Sequence, residues 1–84
     1  MKIELKLQAE KDLAYFEKHS KKLAERIYML LDSIEKTPFS GLGKPEPLKY
    51  ALSGKWSRRV DSTHRLVYDV RVGIIVVYSC RYHY

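Results

Sequence analysis

One cysteine, Cys80, is all the chain contains, so no intramolecular disulfide can form and the framework of a small disulfide-stapled secreted domain is excluded. Set within an apolar stretch, that thiol reads as a buried, inert group in a protein of the reducing cytoplasm. Four glycines and three prolines leave no room for a long disordered or low-complexity segment, and no internal repeat is visible. Long apolar runs are lacking too. Nothing approaches the roughly 18 residues of a membrane span, and Glu4 and Lys6 fall where a signal peptide would be apolar. Three histidines and one cysteine show no zinc-ligand spacing, and the carboxylates do not cluster as two-metal chemistry requires. These absences point to a soluble cytoplasmic protein with no membrane partner, for which no metal or cofactor is expected. At 84 residues it forms a single domain, 1–84, around one core.

What is present is positive charge, and it is unevenly placed. The net charge is +6. Residues 1–43 carry eight Lys or Arg against seven Asp or Glu, whereas residues 44–84 carry eight against three. A field concentrated in the second half attracts polyanions, nucleic acid foremost, although a solubility surface or a seat for an acidic protein would carry the same charge.

Alternation of Ile3, Leu5 and Leu7 with Lys2, Glu4 and Lys6 predicts a short half-buried strand. The period then changes. Ala9, Leu13 and Phe16 fall on one helical face, Ser20 is suited to cap a second helix, and Leu23, Ile27, Leu30, Leu31 and Ile34 form the clearest helical stripe in the chain. Pro38 should end that second helix, and so short a break between helices predicts an antiparallel hairpin. The segment "TPFSGLGKPEPLKY" reads as a loop closing into a short edge strand at 48–50. Beyond Gly54, "KWSRRV", "HRLVYDV" and "GIIVVYSCRYHY" read as strands. The expected architecture is α+β: a short N-terminal strand, a helical hairpin, then an antiparallel sheet of three to four strands with the helices on one face.

Parity sharpens the hairpin. If Asp61, Ser62 and Thr63 form a three-residue loop, Arg59 stands opposite Arg65 and Lys55 opposite Asp69; a two-residue loop would instead oppose Arg59 to Leu66. With three residues, Trp56, Arg58, Val60, Leu66 and Tyr68 share one face, while Ser57, Arg59, Arg65 and Val67 share the other. Like charges directly opposed destabilise a sheet, but a phosphate lying between two guanidiniums removes the repulsion. The second half also offers Glu46, set between Pro45 and Pro47, the cations Lys44, Lys49, Arg58, Arg59, Arg65 and Arg81, and His83 near the chain end. A base, a cationic cradle and an acid are what cleavage of a phosphodiester by its own 2'-hydroxyl requires. Composition alone favours Glu46 as a solvated loop residue and His83 as a surface histidine.

"TPFSGLGKPEPLK", "LSGKWSRRV", "HRLVYDV" and the terminal "CRYHY" resemble, in order and in spacing, the YoeB/Txe toxins of the RelE-like superfamily. The resemblance runs over residues 37–84; the first 36 match only as an amphipathic pattern. It implies a microbial-ribonuclease-like α+β fold, often seen as a homodimer. It further implies a ribosome-dependent endoribonuclease that cuts mRNA in the ribosomal A site and is neutralised by a cognate antitoxin. Carried over residue by residue, Glu46 matches the general base, His83 the general acid and Arg65 the arginine that stabilises the transition state. Lys49 and Arg59 match further phosphate contacts, and Tyr84 the terminal aromatic that positions substrate. Two rivals of other classes are a ParE-like toxin, which shares the superfamily fold but inhibits gyrase, and a non-catalytic RNA-binding module.

Overall fold

Lys2–Leu5 forms strand β1, with Ile3 and Leu5 packed against the core as their alternation requires. The computed structural model describes residues 1–82; the readings that concern His83 and Tyr84 lie outside the described residues. Leu7 does not continue the strand. It opens helix α1 (Leu7–His19) and is 66% exposed, because the helical face that meets the core is Ala9, Asp12, Leu13 and Phe16. Ser20 then serves both helices. Its N–H donates to the Phe16 carbonyl at 2.7 Å, closing α1, and its Oγ accepts from the Leu23 N–H at 3.3 Å, opening α2 (Lys21–Lys36). With a single residue between them the helices must fold back on each other. Helix α2 buries Ala24, Ile27, Leu30 and Ile34 and stops before Pro38, which disfavours helical geometry in the residue ahead of it. Burial of Ile27, Leu30 and Ile34 contributes about 1.5 to 3 kcal/mol each relative to exposure.

The loop after α2 passes close to the sheet at Gly43. That residue takes φ of 86°, and a Cβ there would stand 2.8 Å from Leu30 Cδ2 and 3.2 Å from the Arg59 carbonyl, so only glycine fits. The edge strand β2 is Glu46–Pro47, not residues 48–50 as the sequence suggested. An edge is where a proline without an N–H is tolerated, and Tyr50–Leu52 instead turns into a short 3-10 helix. Strands β3 (Trp56–Arg59), β4 (Arg65–Arg71) and β5 (Ile74–Ser79) complete the chain as a meander.

The sheet order is β1-β5-β4-β3-β2, antiparallel throughout except that β1 runs parallel to β5. The expected α+β layering therefore stands, but the sheet has five strands and is mixed. The helical hairpin is the crossover that a parallel pair needs, and it carries the chain away from β1 so that β5 later enters beside it. Flanked on both sides, β5 is buried on both faces: Ile75 and Val77 join the core, and Val76 is 2% exposed.

The sequence suggested that the last strand continues to the chain end. It ends at Ser79, after a shift in register opposite Val67 and Tyr68. The Cys80 N–H is taken by Asp12 Oδ2 at 3.0 Å on α1, which draws the chain off the ladder. Cys80 itself is buried as expected. Burial, helped by the Asp12 charge, pushes its thiol up to about 12, so it carries no thiolate at neutral pH. Among the described residues no helix is long and apolar enough to cross a membrane.

Candidate functional site

The site begins with a turn. Asp61 Oδ1 accepts from the N–H groups of Thr63, at 2.8 Å, and His64, at 2.7 Å, and the Val60 N–H donates to the His64 carbonyl at 3.0 Å. This side-chain turn fixes a three-residue connection between β3 and β4. Partial burial pushes the Asp61 carboxyl up, but those two backbone bonds, with neighbouring His64 and Arg65, outweigh it and hold the group below its ordinary value. The register that results sets Arg59 directly opposite Arg65, as parity predicted.

Faces are set by register. Val60, Leu66 and Tyr68 lie in the core beneath the helices with Trp56 packed against them, while Ser57, Arg59, Arg65 and Val67 take the alternate positions that point away from the helices. Arg59 is exposed and Arg65 half-buried. Arg65 Nη1 is buried and has no hydrogen-bond partner among the described residues. Glu46 stands opposite Ser57, and directly opposed residues share a face, so its carboxylate belongs to the same side of the sheet as the two arginines, away from the helices. Ser57 and Arg59 are two positions apart on β3, which places the Glu46 row roughly 7 Å from the arginine row. Beside Glu46 the chain folds over into an open depression of about 380 Å³ lined by Glu46, Pro47, Leu48, Lys49, Tyr50 and Leu52. Lys49 thus joins Glu46 through this depression, and Arg59 and Arg65 join it through the sheet register.

Arg58 corrects the expectation that it belongs to the cationic cradle. It is completely buried on the helix side, where its Nε donates to Tyr68 Oη at 3.1 Å and its Nη1 to Ser33 Oγ at 2.8 Å and the Leu42 carbonyl at 3.0 Å. Its Nη2 donates to the carbonyls of Thr37 and Ser40 at 2.6 and 2.7 Å. Tyr68 Oη in turn donates to the Pro38 carbonyl at 2.7 Å. Parity alone assigns Arg58 to this face; the two neighbouring arginines of "SRRV" serve opposite sides of the sheet. Arg58 ties the loop after α2 to β3, and the Arg59 N–H extends the tie to the Gly43 carbonyl at 2.7 Å, three residues before Glu46. The expected pair between Lys55 and Asp69 is also replaced. Lys55 Nζ sits 4.5 Å from the centre of the Tyr78 ring, and Asp69 Oδ2 accepts from Arg71 Nε at 3.1 Å. Arg81 turns towards α1, its guanidinium 3.5 Å from the centre of the Tyr15 ring.

The chain end is brought back to β4. The Arg65 N–H donates to the Tyr82 carbonyl at 3.0 Å, and the Tyr82 N–H donates to His64 Nδ1 at 2.8 Å. The last described residue therefore abuts the arginine row, one residue before His83. Two participants escaped the sequence reading. Asp12 is a buried carboxylate whose only signal is its place on the apolar face of α1, and His64 gave none beyond its position after the turn. Among the described residues no group of three His, Cys, Asp or Glu side chains converges to hold a metal ion.

A helical hairpin on one side of a five-stranded sheet, with two opposed arginines and a carboxylate on the other, defines a small α+β protein. The model of the YoeB-like toxins of bacterial type II toxin-antitoxin systems matches residues 5–84. Toxin YoeB of Synechocystis sp. is 51% identical over 73 residues, which span 87% of this chain and 85% of that protein. The YoeB/ParE toxin from Agrobacterium tumefaciens superposes with a TM-score of 0.95 at 40% identity, covering 100% of both chains. YoeB from Staphylococcus aureus is 44% identical and covers 100% of this chain and 98% of its own. It superposes with a TM-score of 0.92 as a dimer and 0.91 in a heterotetrameric complex with the antitoxin YefM. The chain belongs to the YoeB-like toxins of type II toxin-antitoxin systems.

Proposed function

We propose that this toxin is a ribosome-dependent endoribonuclease that cuts mRNA in the ribosomal A site. The observation that carries the reading is the opposition of Arg59 and Arg65 on the sheet face away from the helices, with Glu46 on the same face one row away. Two guanidiniums directly opposed on neighbouring strands favour an anion, and a phosphodiester also supplies an acceptor for Arg65 Nη1, which has none among the described residues. Glu46 takes the proton from the substrate's 2'-hydroxyl, and the freed oxygen attacks the adjacent phosphorus. The phosphorus-to-5'-oxygen bond breaks as His83 gives its proton to the departing oxygen. A 2',3'-cyclic phosphate remains on the upstream fragment. Arg65 stabilises the charge that develops on the phosphorane, Lys49 and Arg59 hold flanking phosphates, and Tyr84 stacks on a base. Every proton transfer and every developing charge is assigned to a side chain, so the reaction as written is metal-independent. The substrate places the enzyme in the cytoplasm with the translating ribosome. An acidic antitoxin segment answers the basic second half of the chain, and homodimerisation is carried over from the S. aureus relative.

The test is cleavage of mRNA on programmed ribosomes with the scissile nucleotide as either ribose or 2'-deoxyribose. The 2'-deoxy substrate should bind and resist cleavage, since its phosphates remain while the nucleophile is gone. A downstream fragment bearing a 5'-phosphate, or ready cutting of the deoxy substrate, would falsify the mechanism. Inhibition of gyrase with no RNA cleavage would instead assign the ParE-like activity.

A further inference from the structure

Residues 80–82 are fastened one after another by side chains that the proposed reaction does not use. The Cys80 N–H donates to Asp12 Oδ2, and the other oxygen of this buried carboxylate accepts from Gln8 Nε2 at 2.9 Å. The Arg81 guanidinium lies 3.5 Å from the ring centre of Tyr15 and 4.5 Å from that of Tyr82, held between the two faces. The Tyr82 N–H donates to His64 Nδ1 at 2.8 Å, and the imidazole is itself wedged against Phe16, with ring centres 5.1 Å apart.

These ties act against two opposing costs. Tyr82 holds φ of 64°, in the left-handed region that strains a residue with a Cβ. Arg81 Nε is buried with no hydrogen-bond partner among the described residues. The core does not require this arrangement, since the ladder ends at Ser79 and Cys80 already closes the apolar cluster. Backbone strain that the surroundings over-determine, next to a candidate site, points to presentation of a group and not to stability.

We infer that Tyr15 and His64 are positioning residues. They hold Arg81 and Tyr82 beside Arg65, in the backbone that His83 follows in sequence, and the proposed acid step depends on that hold. The inference rests on the reading of His83 as general acid. Single-turnover cleavage on programmed ribosomes is therefore compared for the wild type, Tyr15→Leu, Tyr15→Phe, His64→Ala, His64→Asn and His83→Gln. Tyr15→Leu and His64→Ala should each lower the cleavage rate about ten- to a hundredfold at an unchanged half-saturating concentration, the loss that a small misplacement of a reacting group produces. Phenylalanine keeps the ring face and asparagine keeps an acceptor near the Nδ1 position, so those two variants should stay within about threefold of the wild type. Amide exchange at Tyr82 should quicken in the damaged pair alone. If His83→Gln abolishes cleavage while Tyr15→Leu and His64→Ala cut at the wild-type rate, the positioning role is wrong and the acid assignment survives. If His83→Gln cuts normally, the acid assignment fails and the positioning role with it. Rate losses that only track loss of folded protein, with no rescue by Phe or Asn, would make Tyr15 and His64 structural.

Discussion

Replacing Arg58 by methionine asks whether a buried cation with no carboxylate partner among the described residues holds the loop that leads to Glu46. The guanidinium makes five hydrogen bonds, three of them to the backbone carbonyls of Thr37, Ser40 and Leu42. A carbonyl stripped of its partner loses about 1 to 3 kcal/mol when water cannot reach it. Thr37 and Ser40 are exposed enough for water to substitute in part, so about 1 kcal/mol for each of the three carbonyls is appropriate. Loss of the desolvated charge offsets some of this, because an apolar side chain of similar volume has no Born penalty. The expected net destabilisation is about 2 to 3 kcal/mol for Arg58→Met, and more for Arg58→Ala, which adds a cavity. Urea unfolding of each variant measures it, and amide exchange over residues 37–43 should show local opening before the sheet opens. Arg58→Lys should recover little, since one ammonium cannot reach acceptors that diverge around a planar fork. If Arg58→Met were as stable as the wild type and its loop exchanged no faster, the five bonds would not be what fastens the loop.

Arg65→Ala should impair cleavage more than ribosome binding, by roughly a hundred- to a thousandfold in rate, because an arginine that meets the phosphorane gains strength as charge develops. Equal losses in binding and rate would reduce Arg65 to a docking residue. Asp61→Ala should lose the turn that sets the arginine register. The folded Asp61 carboxyl lies below its ordinary value, so its contribution is full above the carboxylate range and fades as the pH falls through that range. The stability gap between the wild type and Asp61→Ala, measured by urea midpoint, should therefore be wide at neutral pH and narrow on acidification; a constant gap would refute the role of the charge.

Local patterning made much of this molecule legible. Apolar spacing gave both helices, Ser20 and Pro38 marked their limits, and strand parity with a three-residue loop put Arg59 opposite Arg65. Each of these depends on residues close in sequence. The same parity placed Arg58 on the helix side, yet charge drew it into the cradle, because nothing local reveals that five acceptors from a distant loop, a helix and the neighbouring strand are waiting there. Asp12 was missed for a similar reason: its partner is the backbone of Cys80, 68 positions away. The parallel pairing of β1 was hidden because it depends on where the helical hairpin returns the chain. For the candidate site, Glu46 was recognised as a carboxylate but placed in a loop, whereas the edge pairing with Ser57 gives it its face.

The position of β5 bears on how the toxin comes into being. It is the last strand made and yet sits between β1 and β4, pairing Lys2 with Ile74. Until the ribosome has released nearly the whole chain, β1 has no neighbour and the helices have no complete sheet to cover, so assembly cannot proceed strand by strand behind synthesis. A nascent copy therefore cannot close its sheet until β5 has emerged to lie beside β1.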